Sequence, residues 1–177
     1  CDILKNKVGI VNLRLTSGKT AVHSDMIMWN VEDTVENAAL QFASILYSVP
    51  QISMRVDKLP ESHYKMLKYY LSFWNEWKSV LLDGKLTAEN PENNYSLVCS
   101  ELNDKAVFTA HSDRVIPVKA KETVAVNATV ENALIIKNAK GKNYRVVSCM
   151  GEEISNGIIE SDLQEIPVNI SGMIFIK

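Results

Sequence analysis

The stretch His23-Ser24-Asp25-Met26-Ile27-Met28-Trp29 gathers the residues best suited to chemistry in this sequence. A carboxylate and an imidazole can hydrogen-bond to hydroxyl groups. Trp and Met offer polarisable apolar surface to the C–H face of a sugar ring. Neighbours on a strand point to opposite faces, so consecutive His-Ser-Asp is not a catalytic triad. On a regular strand, alternation puts Asp25 and Trp29 on one side and Ser24 and Met28 on the other. The same residues admit a structural reading, with Asp25 as a cap or ion-pair partner and Met26, Met28 and Trp29 in the core. Arg55 and Asp57 share a face as i and i+2. They form either a contact for polar ligand groups or a plain structural pair.

Composition narrows the function classes. The chain has 177 residues, 46% of them apolar and 23% charged, with a formal net charge of -2. Those fractions are ordinary for a globular protein. A nucleic-acid surface needs clustered excess Lys and Arg. Lys137, Lys140, Lys142 and Arg145 surround a Gly-containing turn and read as solvated hairpin residues. No run of 18 apolar residues exists, so no membrane partner is expected. Gly9 and Gly18 are isolated and make no phosphate-binding loop. The three Cys and three His residues have no metal-ligand spacing, so neither metal nor cofactor is expected. Cys99 and Cys149 sit in strand-like runs as buried thiols or, alternatively, a disulfide. The start at Cys1, without an initiator Met, is expected of a fragment of a longer parent. Three glycosylation sequons, at Asn94, Asn127 and Asn169, are cheap matches.

The elements that must position these residues change character near residue 90. Val8–Leu15 and Ala21–Met28 read as strands. Asp33 and Glu36 make a capping box for a helix carrying Val35, Ala38, Ala39, Phe42, Ala43 and Leu46 on one face, closed by Pro50. Gln51–Val56 reads as a strand. Pro60 opens a second helix that Asp83-Gly84 ends. Its aromatics Tyr69, Tyr70, Phe73, Trp74 and Trp77 fall at the spacing of a core or interface face. Strands alternating with helices imply β/α units and a parallel sheet, which two units alone cannot bury. Thr87–Tyr95 reads as a linker. From Tyr95 onward nine short strand runs, separated by Asn, Asp, Ser and Gly turns, predict an antiparallel sandwich.

Residues Val11–Leu15, Ala21–Trp29 and Val49–Ser53 resemble α-galactosidases of glycoside hydrolase family 36. Helix 60–82 and the following Leu81–Leu86 resemble that family's last barrel helix and its lead into a C-terminal sheet domain. The resemblance covers residues 1–90; beyond that it is one of pattern. It implies an α+β chain: the C-terminal β/α units of a TIM barrel over 1–90, then an antiparallel β-sandwich over 91–177. His23-Ser24 would lie on the seventh barrel strand and Gln51–Val56 on the eighth. His23, Asp25, Trp29, Arg55 and Asp57 are then the candidate substrate-binding residues, because barrel sites lie at the C-terminal ends of strands.

The resemblance also implies a retaining hydrolase with two catalytic Asp residues. Such a pair needs carboxyl groups about 5–5.5 Å apart. Neither Asp of the family's motifs has a counterpart here, so no catalytic residue is assigned and the chain itself is expected to be inactive. The substrate of the parent would be an oligosaccharide or glycoside. His-Ser-Asp departs from the family's His-Val-Ser, which leaves galactose, N-acetylgalactosamine and related sugars open. The alternative is a non-catalytic module, structural or carbohydrate-binding. A homo-oligomer fits either reading, and the sequence names no compartment.

Overall fold

The computed structural model describes residues 2–177. Cys1 and what was expected of it lie outside the described residues. Helix α1 (Ile3–Thr16) comes first, then strand β1 (His23–Ile27), α2 (Val35–Ala43), β2 (Val49–Ile52) and the long α3 (Glu61–Asp83). Ten strands follow: β3 (Lys85–Glu89), β4 (Leu97–Leu102), β5 (Lys105–Ala110), β6 (Val115–Pro117) and β7 (Glu122–Asn127), then β8 (Ala133–Lys137), β9 (Asn143–Val147), β10 (Glu153–Ile158), β11 (Leu163–Pro167) and β12 (Met173–Ile176).

The fold is mixed α+β with open sheets, which corrects the expected barrel and sandwich. Among the described residues strands β1 and β2 pair in parallel with each other alone. Two strands cannot curl into a closed barrel. Where a third strand was expected, over Val8–Leu15, the chain is helical. The β-branched run concealed the helical period because the inward face of α1 carries two cations: Lys7, Ile10, Val11 and Arg14 are its buried residues. Asp2 caps this helix, its Oδ1 accepting from the N–H groups of Leu4 and Lys5.

The sandwich fails for a different reason. Seven strands form one open sheet in the order β10-β9-β12-β7-β5-β4-β3, and three form another, β11-β8-β6. Neither is purely antiparallel, since β5 pairs with β7 and β6 with β8 in parallel. The large sheet is covered on both faces. Val98, Val107, Val124, Val126, Val147 and Met173 join one core with α2 and α3. The alternate residues Leu97, Phe108, Ala125, Val146, Ile174 and Ile176 join a second core with the three-stranded sheet. Two buried faces explain why these strands read as continuous apolar runs. A helix occupies one face where a two-sheet architecture would leave solvent.

Local signals shifted in three further places. The N-cap of α2 is Thr34, whose hydroxyl accepts from Asn37 N–H, rather than Asp33. Pro50 lies inside β2 instead of closing a helix. An edge strand tolerates it, because the missing N–H faces no partner. Part of the expected linker is β3, paired antiparallel to β4. The turn between them uses left-handed Asn90, Asn94 and Tyr95.

Helix α3 is fastened to its surroundings by polar contacts that its sequence alone does not announce. Tyr70 Oη donates to Ser171 O at 2.7 Å, and Trp74 Nε1 to Ser48 O at 3.0 Å. At its C-terminus Ser100 Oγ donates to Val80 O at 2.6 Å and buried Arg14 to Leu81 O at 3.0 Å. Nearby, Tyr47 Oη donates to Val98 O or Val107 O, at 3.0 and 3.1 Å. Burial pushes both the Tyr47 and Tyr70 phenols well above their ordinary range.

Two predictions follow from this packing. A Cβ on Gly84 would stand 2.3 Å from Val80 O and 2.4 Å from Ser100 Oγ, whereas one on helical Gly9 meets nothing within 4 Å. Gly84→Ala should therefore lower the urea midpoint, while Gly9→Ala should raise stability by about 0.5–1 kcal/mol. The second concerns His111, whose pKa is lowered to about 3 by burial first and by Lys7 second. Between that value and its unfolded range near 6.5 the unfolded chain binds the extra proton. Stability should fall as pH drops through this window, by at most about 1.4 kcal/mol per pH unit. Urea midpoints at pH 7, 6 and 5 should show a shallower decline in His111→Gln than in the parent chain.

Candidate functional site

Strand β1 does not keep the simple alternation expected of it. The register against β2 slips between His23 and Met26, so an irregularity sits at Ser24-Asp25. His23, Asp25 and Met26 are exposed, while Ser24 and Ile27 are buried. Ser24 Oγ accepts from Gln51 N–H at 2.8 Å and ties the two strands together. Asp25 Oδ1 accepts from Met26 N–H at 2.8 Å, and the carboxylate otherwise faces outward.

Trp29 and Asp25, expected on one side, part company. Trp29 is 7% exposed. Its Nε1–H donates to Nδ1 of buried His63 at 2.9 Å. Nδ1 is thus the acceptor, and Nε2, 3.1 Å from Asp33 O, carries the proton and donates. Trp29 joins the loop after β1 to the first turn of α3. The indole closes a structural hydrogen-bond chain and presents no free donor to a ligand.

The remaining candidates fall in two places. Arg55 and Asp57 form an exposed ion pair at 2.8 Å, with Arg55 Nε also 3.4 Å from Asp57 Oδ1. Arg55 precedes the turn Val56–Lys58 beyond β2 and Asp57 lies within it, at the C-terminal edge of the parallel pair. That edge is where open α/β sheets gather ligands. His23 and Asp25 instead line a cleft of about 200 Å³ with Lys5, Asn6, Gly9, Ile10 and Leu13 of α1. The structure therefore brings His23 and Asp25 together, keeps Arg55 with Asp57, and withdraws Trp29 into the core. The cleft side can offer hydrogen-bond donors and acceptors to hydroxyl groups. Among the described residues no group of three His, Cys, Asp or Glu could hold a metal ion.

Sequence reasoning missed a second cleft, of about 350 Å³, between α3 and strands β9 and β12. Tyr69, Phe73 and Trp77 recur every fourth residue along α3 and supply one wall. Tyr144, Arg145 and Phe175 supply the other. The helical aromatics read as a packing face, and that face extends past the helix–sheet contact into the cleft. The signal was present, but which part of the stripe stays uncovered depends on the strands opposite.

Other candidate features resolve as structure. Cys99 and Cys149 are buried free thiols, not a disulfide. Burial pushes the Cys149 thiol up to about 11, which makes it a poor nucleophile. The Asn127 sequon is closed: its amide nitrogen donates to Glu131 O and Val168 O, both at 2.7 Å, and its residue is buried. Among the described residues no helix is long and apolar enough to cross a membrane.

The two sides of β1 predict opposite responses. Trp29→Phe strands the His63 Nδ1 acceptor and should cost about 1–3 kcal/mol by urea unfolding. Asp25→Asn should stay within about 0.5 kcal/mol of the parent chain in the same measurement.

Comparison with protein-family models, with curated proteins and with solved structures returns no match to this chain, so its functional reading rests on the residues themselves.

Proposed function

We propose that the chain is the non-catalytic C-terminal part of a retaining α-glycosidase acting on terminal α-galactosides. In this reading it contributes hydroxyl-binding side chains to a site whose carboxylate pair lies elsewhere in the parent. The observation that carries the proposal is the outward presentation of His23 and Asp25 over a shared cleft. Among the described residues Asp25 makes no ion pair. A carboxylate beside an imidazole offers an acceptor and a donor to adjacent sugar hydroxyls. Arg55 and Asp57, at the C-terminal edge of the same parallel pair, would offer a separate polar contact.

Two features support a larger body packed against this face. Among the described residues strand β1 pairs with β2 alone, and the segment of β1 and the residue after it leaves Met26 and Met28 more than half exposed, at 60% and 51%. Exposed apolar side chains gathered in one segment favour a protein contact over open solvent. The family resemblance supplies the reaction class. The absence of its two Asp motifs from the sequence argues that this chain does not perform the chemistry by itself.

Purified chain should give no turnover of an aryl α-galactoside. Sustained turnover that is abolished by Asp25→Asn or by Asp2→Asn would reject the non-catalytic assignment. In the full-length parent, Asp25→Asn should lower kcat/KM by about tenfold, the loss of about 1.4 kcal/mol of transition-state binding. Unchanged kcat/KM would remove Asp25 from the site.

A further inference from the structure

We infer that the cleft between α3 and strands β9 and β12 is a second binding site, for a neutral, polyhydroxylated ring such as a single hexopyranoside. The inference does not rest on the α-galactoside reading, because no residue of this cleft belongs to the His23–Asp25 face.

The walls are aromatic and held in fixed orientations. Phe73 stacks on Trp77 with centroids 6.1 Å apart and 27° between planes, and meets Phe175 edge-on at 6.1 Å and 81°. Gly151 lets the Tyr69 ring pack directly on the backbone, since a Cβ there would clash with it. The half-buried rings of Tyr69, Tyr144 and Phe175, backed by Phe73 and Trp77 at 3% and 5% exposure, offer the C–H groups of a sugar an apolar surface at little entropic cost. The volume of about 350 Å³ lies within the usual range for small-ligand sites, roughly 300–1,000 Å³.

The polar rim decides the ligand class. Arg145 lies with its guanidinium carbon 4.8 Å from the Phe175 centroid, and makes no ion pair among the described residues. The ring fixes the plane of the guanidinium and leaves its N–H donors along the edge. Glu76 places a carboxylate acceptor on the same cleft, and Asn143 adds an amide that both donates and accepts. Trp77, part of the wall, keeps its Nε1–H buried without a partner. Lys177 also lines the cleft, but its ammonium is held 3.5 Å from the Glu122 carboxylate. A purely anionic ligand would suit Arg145 but be opposed by Glu76, and a cation the reverse. Hydroxyl groups donate and accept, so a neutral polyol ring satisfies both signs at once.

The test is a two-dimensional NMR titration of the whole chain with methyl α-D-galactopyranoside and methyl α-D-glucopyranoside, with benzoate as the anionic control. The expected result is saturable movement of the Trp77 indole and of Arg145 and Phe175 backbone signals at millimolar sugar. Arg145→Met retains an apolar stem over Phe175, and Glu76→Gln retains the shape of the carboxylate. Both residues are exposed, so melting should confirm that each variant folds. The double variant should bind at least roughly tenfold more weakly. Absence of any shift at Trp77, equal binding by the double variant, or tighter binding of benzoate than of either sugar would overturn the inference. Shifts confined to His23 and Asp25 would also overturn it, while leaving the proposed function standing.

Discussion

The seating of α3 across the seven-stranded sheet is the constraint on which the rest of the molecule depends. Its apolar face, from Met66 and Tyr70 through Phe73 and Trp77 to Leu81, shares one core with residues of β4, β5, β7, β9 and β12. Burial of such large side chains is the dominant stabilising term, at about 25 cal/mol per Å² of apolar surface. Burial alone, however, would allow a helix to slide. Directional contacts set its position: Tyr70 reaches Ser171 O, Ser100 reaches Val80 O, and Arg14 reaches Leu81 O. Arg14 satisfies one of the carbonyls that a helix end leaves without an intrahelical partner, and Ser100 adds a second donor to Val80 O, which also accepts the Gly84 N–H. Gly84 is needed between them because there is no room for a side chain.

This seating also connects the two clefts. Arg14 is the buried link between α1 and the end of α3, and α1 forms one wall of the cleft that holds His23 and Asp25. At the other end, His63 in the first turn of α3 receives the Trp29 indole N–H and so holds the loop after β1. Helix α1 and the loop after β1 are thus tied to opposite ends of one helix. Along the middle of that helix, Phe73 and Trp77 pack into the core on one side and line the aromatic cleft on the other. The geometry of both candidate surfaces follows from one docking arrangement.

Irregularity in β1 separates its polar residues from the core. The slip in register between His23 and Met26 leaves Asp25 and Met26 both outward, where a regular strand would turn one of them in. Ser24 stays inside because its hydroxyl meets Gln51 N–H. The buried seryl group therefore has a partner and avoids the cost of an unmet polar atom. A local departure of this kind re-aims side chains without disturbing the parallel pairing on either side of it.

By itself, the sequence determined the position of α3, announced by Pro60 and ended by Asp83-Gly84, and the run of short strands punctuated by Asn, Asp and Gly. It also singled out His23, Asp25, Trp29, Arg55 and Asp57 as candidate binding residues. These are local matters of turn propensity, capping and periodicity, written in neighbouring residues. What the tertiary structure decided depends on partners distant in sequence. Val8–Leu15 is helical because Lys7 and Arg14, which look like solvent residues, find carbonyl acceptors at Tyr95 and Leu81. Trp29 is structural because His63 waits 34 residues away. The sheets stay open because α3 takes one face of the large sheet, and apolar alternation cannot reveal whether a helix or another sheet will cover it. The aromatic cleft arises where that cover ends, between a helix and strands far apart in the chain, and no local pattern marks that boundary.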